Sequence, residues 1–148
     1  MSENKLLVNE AFFDVIKKNL SQAKERIYII IYNWHFYQDS PSSPVSQINQ
    51  IIFEKVRLGL DVRVIVGNKT LNNQLKEKKI NVRYNRLRGL NHAKVVIIDN
   101  NFCSVGSHNF SNNAFERNEE ATIASSDIDL IKQCERYFDV LFKSCEIL

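Results

Sequence analysis

Six residues between positions 92 and 109 carry the reactive groups of this sequence. They are His92, Lys94, Asp99, Gly106, Ser107 and Asn109, spaced as H-x-K-x4-D-x6-G-S-x-N. An imidazole can act as a nucleophile or base near neutral pH. An ammonium, a carboxamide and a hydroxyl can hold oxygens on which negative charge builds. Between the polar positions lies Val95-Val96-Ile97-Ile98, an apolar run rich in β-branched residues, which predicts a strand buried on both faces. On a strand, residues i and i+2 point the same way, so His92 and Lys94 share a face and Ser107 and Asn109 repeat the pattern. A cation beside an imidazole at the end of a buried strand is costly to hold without an anion. The chemistry implied is that of an anionic ligand.

The block resembles the HKD motif of the phospholipase D superfamily, with every defining position filled. The likeness reaches over nearly the whole chain. It includes Val45–Val66, in which Arg57-Leu58-Gly59 is followed by Val62-Arg63-Val64, and the trailing polar pair Asn118 and Glu120. The resemblance implies a phosphodiester as the reacting group and an α/β/α architecture. A diester repels nucleophiles and its leaving alkoxide needs a proton. Two displacements through a covalent phosphohistidine ease both difficulties. His92 is then the nucleophile, Lys94 and Asn109 hold the non-bridging oxygens, Ser107 adds a hydroxyl, and Gly106 lets the backbone approach the phosphate. In similar proteins the acid matching Glu120 hydrogen-bonds the histidine. Alternation places Glu120, not Glu119, on the face of Asn118. Asp99 alternates away from Lys94 and is expected to tie the turn after the strand.

The mechanism needs a second histidine to protonate the leaving group and then to activate water. The other two histidines, His35 and His108, lack a lysine two residues on. His108 reads as a supporting or surface residue and His35 as a loop residue. A two-fold homodimer that brings both His92 side chains to one composite site is the economical solution. Superfamily members with two motif copies hold the same pair within one chain. No metal and no other cofactor is implied, because paired lysines supply the positive charge.

The elements that must position these residues follow from periodicity and turn chemistry. Asn9 can cap a helix through about Ala23, with Phe12, Ile16, Leu20 and Ala23 on one face. Arg26–Asn33 reads as a central strand, and Trp34 to Pro44 as a loop. A helix over Val45 to Leu58 ends at Gly59 in a left-handed cap. A strand follows at Asp61–Val66, a short helix at Thr70 to Lys79 and a strand at Ile80–Tyr84. The motif strand and Phe102–Gly106 are joined by a tight turn at Asp99-Asn100-Asn101. Glu119–Ala124 reads as a further strand. Asp127 caps a last helix with Ile131, Cys134, Phe138, Leu141, Phe142 and Cys145 inward. The fold expected is a mixed, mostly parallel sheet flanked by helices on both faces, in one domain over residues 1–148.

Composition narrows the class. The chain has 148 residues, 44% of them hydrophobic and 25% charged, with a net charge of +3. That is a globular composition, mildly basic, which permits a polyanionic partner without demanding one. Three cysteines without CxxC spacing exclude a zinc ribbon or disulfide framework and predict buried thiols. The first residues contain acids and no long apolar core, so neither a signal peptide nor a membrane span is expected, and a cytoplasmic location follows.

Which diester is cleaved is less fixed. Arg83, Arg86 and Arg88 lead into Lys94, as suits backbone phosphates. Trp34 lies in an aromatic loop where it could stack on unpaired bases. Single-copy members of this size are often nucleases. The reading favoured is a nuclease on DNA or RNA, without stable membrane association. The rivals are a phospholipase D-type hydrolase or transferase on phospholipids, and a partner-gated or non-catalytic nucleic-acid-binding module.

Overall fold

The computed structural model describes residues 2–37, 39–85, 89–145 and 147. The elements run β1 (Asn4–Val8), α1 (Ala11–Gln22), β2 (Arg26–Ile31), α2 (Pro44–Arg57), β3 (Asp61–Val66) and α3 (Lys69–Glu77). They continue as β4 (Asn81–Tyr84), β5 (Lys94–Ile98), β6 (Phe102–Gly106), α4 (Asn112–Glu116), β7 (Ala121–Ser125) and α5 (Ile128–Ser144). The strands form one seven-stranded sheet in the order β1-β7-β6-β5-β2-β3-β4. Only β2–β3 and β3–β4 pair in parallel; the other four pairings are antiparallel. The expected mixed sheet is present, but "mostly parallel" needs correction. Most strands share a direction, with β5 and β7 reversed, yet most neighbours are antiparallel. The β5–β6 hairpin and the return of β1 beside β7 account for this.

Alternation along β2 divides the core in two. Ile27, Ile29 and Ile31 pack with Phe12, Ile16 and Leu20 of α1, Val45, Ile48 and Ile52 of α2, and Leu71 and Leu75 of α3. Phe115 of α4 joins the same layer. Tyr28 and Ile30 face the other way, onto Ile131, Cys134, Phe138 and Phe142 of α5. Each such fully buried side chain contributes about 1.5–3 kcal/mol of transfer free energy. Cys103, Cys134 and Cys145 are buried free thiols, as expected. Arg26 of β2 grips Glu135 of α5 through two hydrogen bonds of 2.7 and 3.1 Å. Gly59 (φ 89°) closes α2 in the left-handed conformation, and Asp127 caps α5 by accepting from the Asp129 N–H.

Three expectations fail here. Strand β1 is absent from the sequence reading because its pattern is one-sided: Leu7 is buried while Leu6 and Val8 are exposed. Asn9 does not cap α1. It sits at φ 53° with its side chain turned to Glu119 and Glu120. The last strand begins at Ala121, not Glu119, after the short helix α4, whose N-terminus the Ser111 hydroxyl caps.

α5 covers only part of its face. On β6, β7 and β1 the residues Val105, Ile123 and Leu6 lie in register and are 43%, 48% and 62% exposed. Val8 continues the row at 48% exposed. No helix among the described residues is long and apolar enough to cross a membrane.

Candidate active site

Because β5 and β7 are reversed, their first residues meet the last residues of β2 and β6 at one end of the sheet. His92 is exposed there and Lys94 is 7% exposed. The Lys94 ammonium donates to the His92 carbonyl at 2.8 Å and lies 2.9 Å from His92 Nδ1. Tyr32, just past β2, flanks both: its ring is 5.1 Å from the imidazole and 5.9 Å from the ammonium. Burial pushes the Lys94 amine below its ordinary value, against the opposing field of the Glu120 carboxylate. The site therefore holds a cation in a place that favours losing its charge, a cost that an anion offsets.

Ser107 and Glu120 form the opposite wall. The Ser107 hydroxyl donates to Glu120 at 3.1 Å and accepts from the Ala121 N–H at 3.0 Å. Glu120 precedes the strand, so alternation does not aim it; its backbone N–H donates to Asn9 Oδ1 at 2.8 Å instead. His108 braces Asn9 in turn. It is 2% exposed, stacked 4.3 Å from Phe12, with Nε2 2.8 Å from the Asn9 carbonyl and Nδ1 2.6 Å from the Thr122 hydroxyl. A carbonyl only accepts, so Nε2 carries a proton, and burial pushes the pKa of the ring down. Asn109 accepts the Asn33 N–H at 2.9 Å, which leaves its amide nitrogen as the donor it can offer a ligand. Tyr32, Asn33 and Asn9 also border this site; the first two have no assigned role in the sequence, where Asn9 reads as a helix cap. The signal available for Tyr32 and Asn33 was a polar pair closing an otherwise apolar strand.

Residues 16–142 match the family model described as "Cardiolipin synthase, PLD-like domain". The chain belongs to the phospholipase D superfamily. A protein of Rickettsia bellii named phospholipase D is 29% identical over 121 residues, covering 78% of this chain and 56% of that protein. The chain thus spans little more than half the length of that relative. Among solved structures, NucT from Helicobacter pylori superposes with a TM-score of 0.79 at 24% identity, covering 100% of both chains. Nuc from Salmonella typhimurium, described as a phospholipase D family member, superposes with a TM-score of 0.82 at 16% identity over 99% of this chain and 97% of that one. Both share the superfamily fold.

The structure divides the superfamily motif between two places. Asp99 lies at the far end of β5 from Lys94. Its carboxylate accepts from the backbone N–H groups of Lys24, Glu25 and Arg26 at 3.0, 2.8 and 3.0 Å. Burial raises its pKa, but these three donors outweigh burial and hold it below the ordinary value. Gly106 faces β7, not a ligand: a Cβ there would meet Thr122 Oγ1 at 2.3 Å and the Ala121 carbonyl at 2.4 Å. Its need is the close approach of two strands. Asn118 is exposed in the turn after α4, bonded through its backbone to the Asn113 carbonyl. Among the described residues Glu120 makes no hydrogen bond to His92, contrary to what the resemblance implies; its carboxylate accepts from Ser107.

Two substrate-contact expectations are overturned. Trp34 is 3% exposed, with its indole N–H bonded to Asn49, so it cannot stack on a base. Arg83 turns away from the site, donating to the Phe142 carbonyl at 2.7 Å with its guanidinium 4.1 Å from the Phe142 ring. Its long side chain found a carbonyl and a ring under α5, which sequence spacing does not reveal. Arg86 and Arg88 lie outside the described residues.

Proposed function

We propose that this chain is a metal-independent phosphodiesterase cleaving DNA or RNA through a phosphohistidine on His92, at a site completed by a second copy. The observation that carries the reading is the buried Lys94 ammonium bonded to both the ring and the carbonyl of His92. With Lys94 donating to Nδ1, Nε2 holds the ring proton in the resting site. A phosphate oxygen that draws the ammonium away frees Nδ1 to take a proton from water while Nε2 gives its own to water, and the unprotonated Nε2 attacks phosphorus. The P–O bond to the leaving group breaks as the N–P bond forms, and the partner's His92 supplies the alkoxide's proton. That second imidazole then takes a proton from water, whose oxygen displaces His92 from phosphorus. Lys94, Asn109 and Ser107 hold the oxygens throughout, and Asp99, Gly106 and Asn118 support the frame.

The uncovered row Leu6–Ile123–Val105 supports the dimer. Contiguous apolar surface of this kind marks an interface, and Val105 stands two residues before Ser107 on the same face, so the row runs into the rim of the site. A phospholipid diester is the second reading, favoured by the likeness to a protein named phospholipase D.

One assay tests the proposal. Wild type, His92→Ala and Ile123→Asp are incubated with labelled single- and double-stranded DNA and with RNA, in EDTA, across about pH 5 to 8. Wild type should cleave, and His92→Ala should not. Ile123→Asp should sediment as a monomer and lose cleavage. Inhibition by the chelator sinks the metal-independent mechanism. Cleavage by a monomeric Ile123→Asp sinks the composite site. Hydrolysis of phospholipid vesicles but not nucleic acid by wild type transfers the function to lipids.

A further inference from the structure

A crevice of about 300 Å³ opens beside the site, between the loop after β2 and the first turns of α3. Its walls include Asn33, His35, Tyr37, Asn68, Thr70 and Gln74. It adjoins the reacting centre through the backbone, since the Asn33 N–H donates to Asn109 and the His35 N–H to the Phe110 carbonyl. A second cleft of about 320 Å³ lies next to it and shares Phe36, Tyr37 and Gln74 as its dividing wall. Cavities from about 300 Å³ upwards hold small organic groups.

The lining chemistry is unlike that of the site. Among the described residues, no Asp, Glu, Lys or Arg lines the first crevice. It offers carboxamides at Asn33, Asn68 and Gln74 and a hydroxyl at Thr70, around an aromatic wall. Asn68 Oδ1 is already used to cap α3, accepting the Leu71 N–H at 3.1 Å, which leaves its amide NH2. Tyr37 is 39% exposed and is held upright by His35: its hydroxyl is 2.7 Å from His35 Nδ1, and the rings meet edge to face at 5.6 Å. The stacked pair Trp34 and Phe36, 5.8 Å apart, forms a floor behind them. Neutral amides that donate and accept, beside an exposed ring, match the edges and faces of nucleobases, and they bring no charge to compete for the phosphate.

On the nuclease reading above, we propose that this crevice seats a base next to the scissile phosphate, with Tyr37 stacking between two successive bases. Only an unpaired strand can present its bases this way, so the substrate is single-stranded nucleic acid. Lys94 and Asn109 take the phosphate, and the loop after β2 takes the bases.

The test compares kcat/KM on a single-stranded oligonucleotide with that on bis(p-nitrophenyl) phosphate, a diester without bases. Tyr37→Ala should lower the ratio of the two about tenfold, as loss of one stacking contact does. Tyr37→Phe, which keeps the ring, should restore it. A ratio unchanged in Tyr37→Ala overturns the subsite. A wild type that cuts duplex as fast as single strand overturns the strand preference but keeps the nuclease reading. His92-dependent hydrolysis of the base-free diester, with no cleavage of any nucleic acid, overturns the nuclease reading and the subsite with it.

Discussion

The two ends of β5 carry the same motif and are built on opposite principles. At one end Asp99 spends its carboxylate on three backbone N–H groups of the β2 approach. At the other, the hydrogen-bond partners of buried Lys94 among the described residues are a carbonyl and a ring nitrogen of His92, and the Asn109 amide oxygen takes the Asn33 N–H while its NH2 has no partner among them. A polar group whose bonds all close within the chain stabilises the fold. One left under-partnered in a buried setting is poised for a ligand. Motif membership does not distinguish the two; the hydrogen-bond inventory does.

The sharpest way to break this contrast is to delete one residue from each end. Asp99→Ala should unpair three backbone donors and cost about 2–4 kcal/mol, a fall in Tm of roughly 5–15 °C, with kcat of the folded enzyme kept. His92→Ala should do the reverse, lowering turnover by about 10⁴-fold or more while the melting curve stays in place. Calorimetry and kinetics on the same two preparations decide it. Loss of turnover in folded Asp99→Ala would erase the distinction.

A subtler probe is alkaline titration of Lys94. Burial lowers its pKa, so the folded chain binds fewer protons than the unfolded one between the depressed value and 10.5. Stability therefore rises with pH across that window. Phosphate binding runs the other way, because it requires the charged amine. Competitive inhibition by inorganic phosphate should weaken about tenfold per pH unit above the depressed value, setting in below the ordinary lysine range. Lys94→Arg, which keeps its charge, should remove that limb; an alkaline limb persisting in the arginine variant would refute the assignment.

The smallest effect belongs to His108, which supports the site without entering it. Its pKa is lowered by burial, so its contribution is present above about pH 6.5 and fades as the pH falls and the unfolded chain takes the proton. His108→Gln should cost about 1–2 kcal/mol at neutral pH and flatten the acid-side loss of stability, followed by urea melts at several pH values.

Much of this was legible in the sequence, for identifiable reasons. β5 announced itself through its β-branched run and α5 through its apolar stripe; parity turned Asp99 away from Lys94, but its carboxylate binds the approach to β2 rather than its own turn. What escaped depended on partners distant in sequence. Asn9 reads as a helix cap until Glu120, 111 residues away, claims its side chain. Trp34 and Arg83 read as surface contacts until Asn49 and Phe142 are seen to hold them. Glu120 reads as a strand residue, but the strand begins one residue later.

The pairing of β1 with β7 also sets a timetable. Asn4 lies against Ser125, so β1 has no strand neighbour until β7, far later in the chain, is in place. Such distant pairing slows folding and leaves Leu6, Leu7 and Val8 exposed to chaperones meanwhile. Asn9, and with it the Glu120 wall, falls into place only at that final docking. Until the two strands meet, the Ser107 and Glu120 side of the site lacks the support of Asn9.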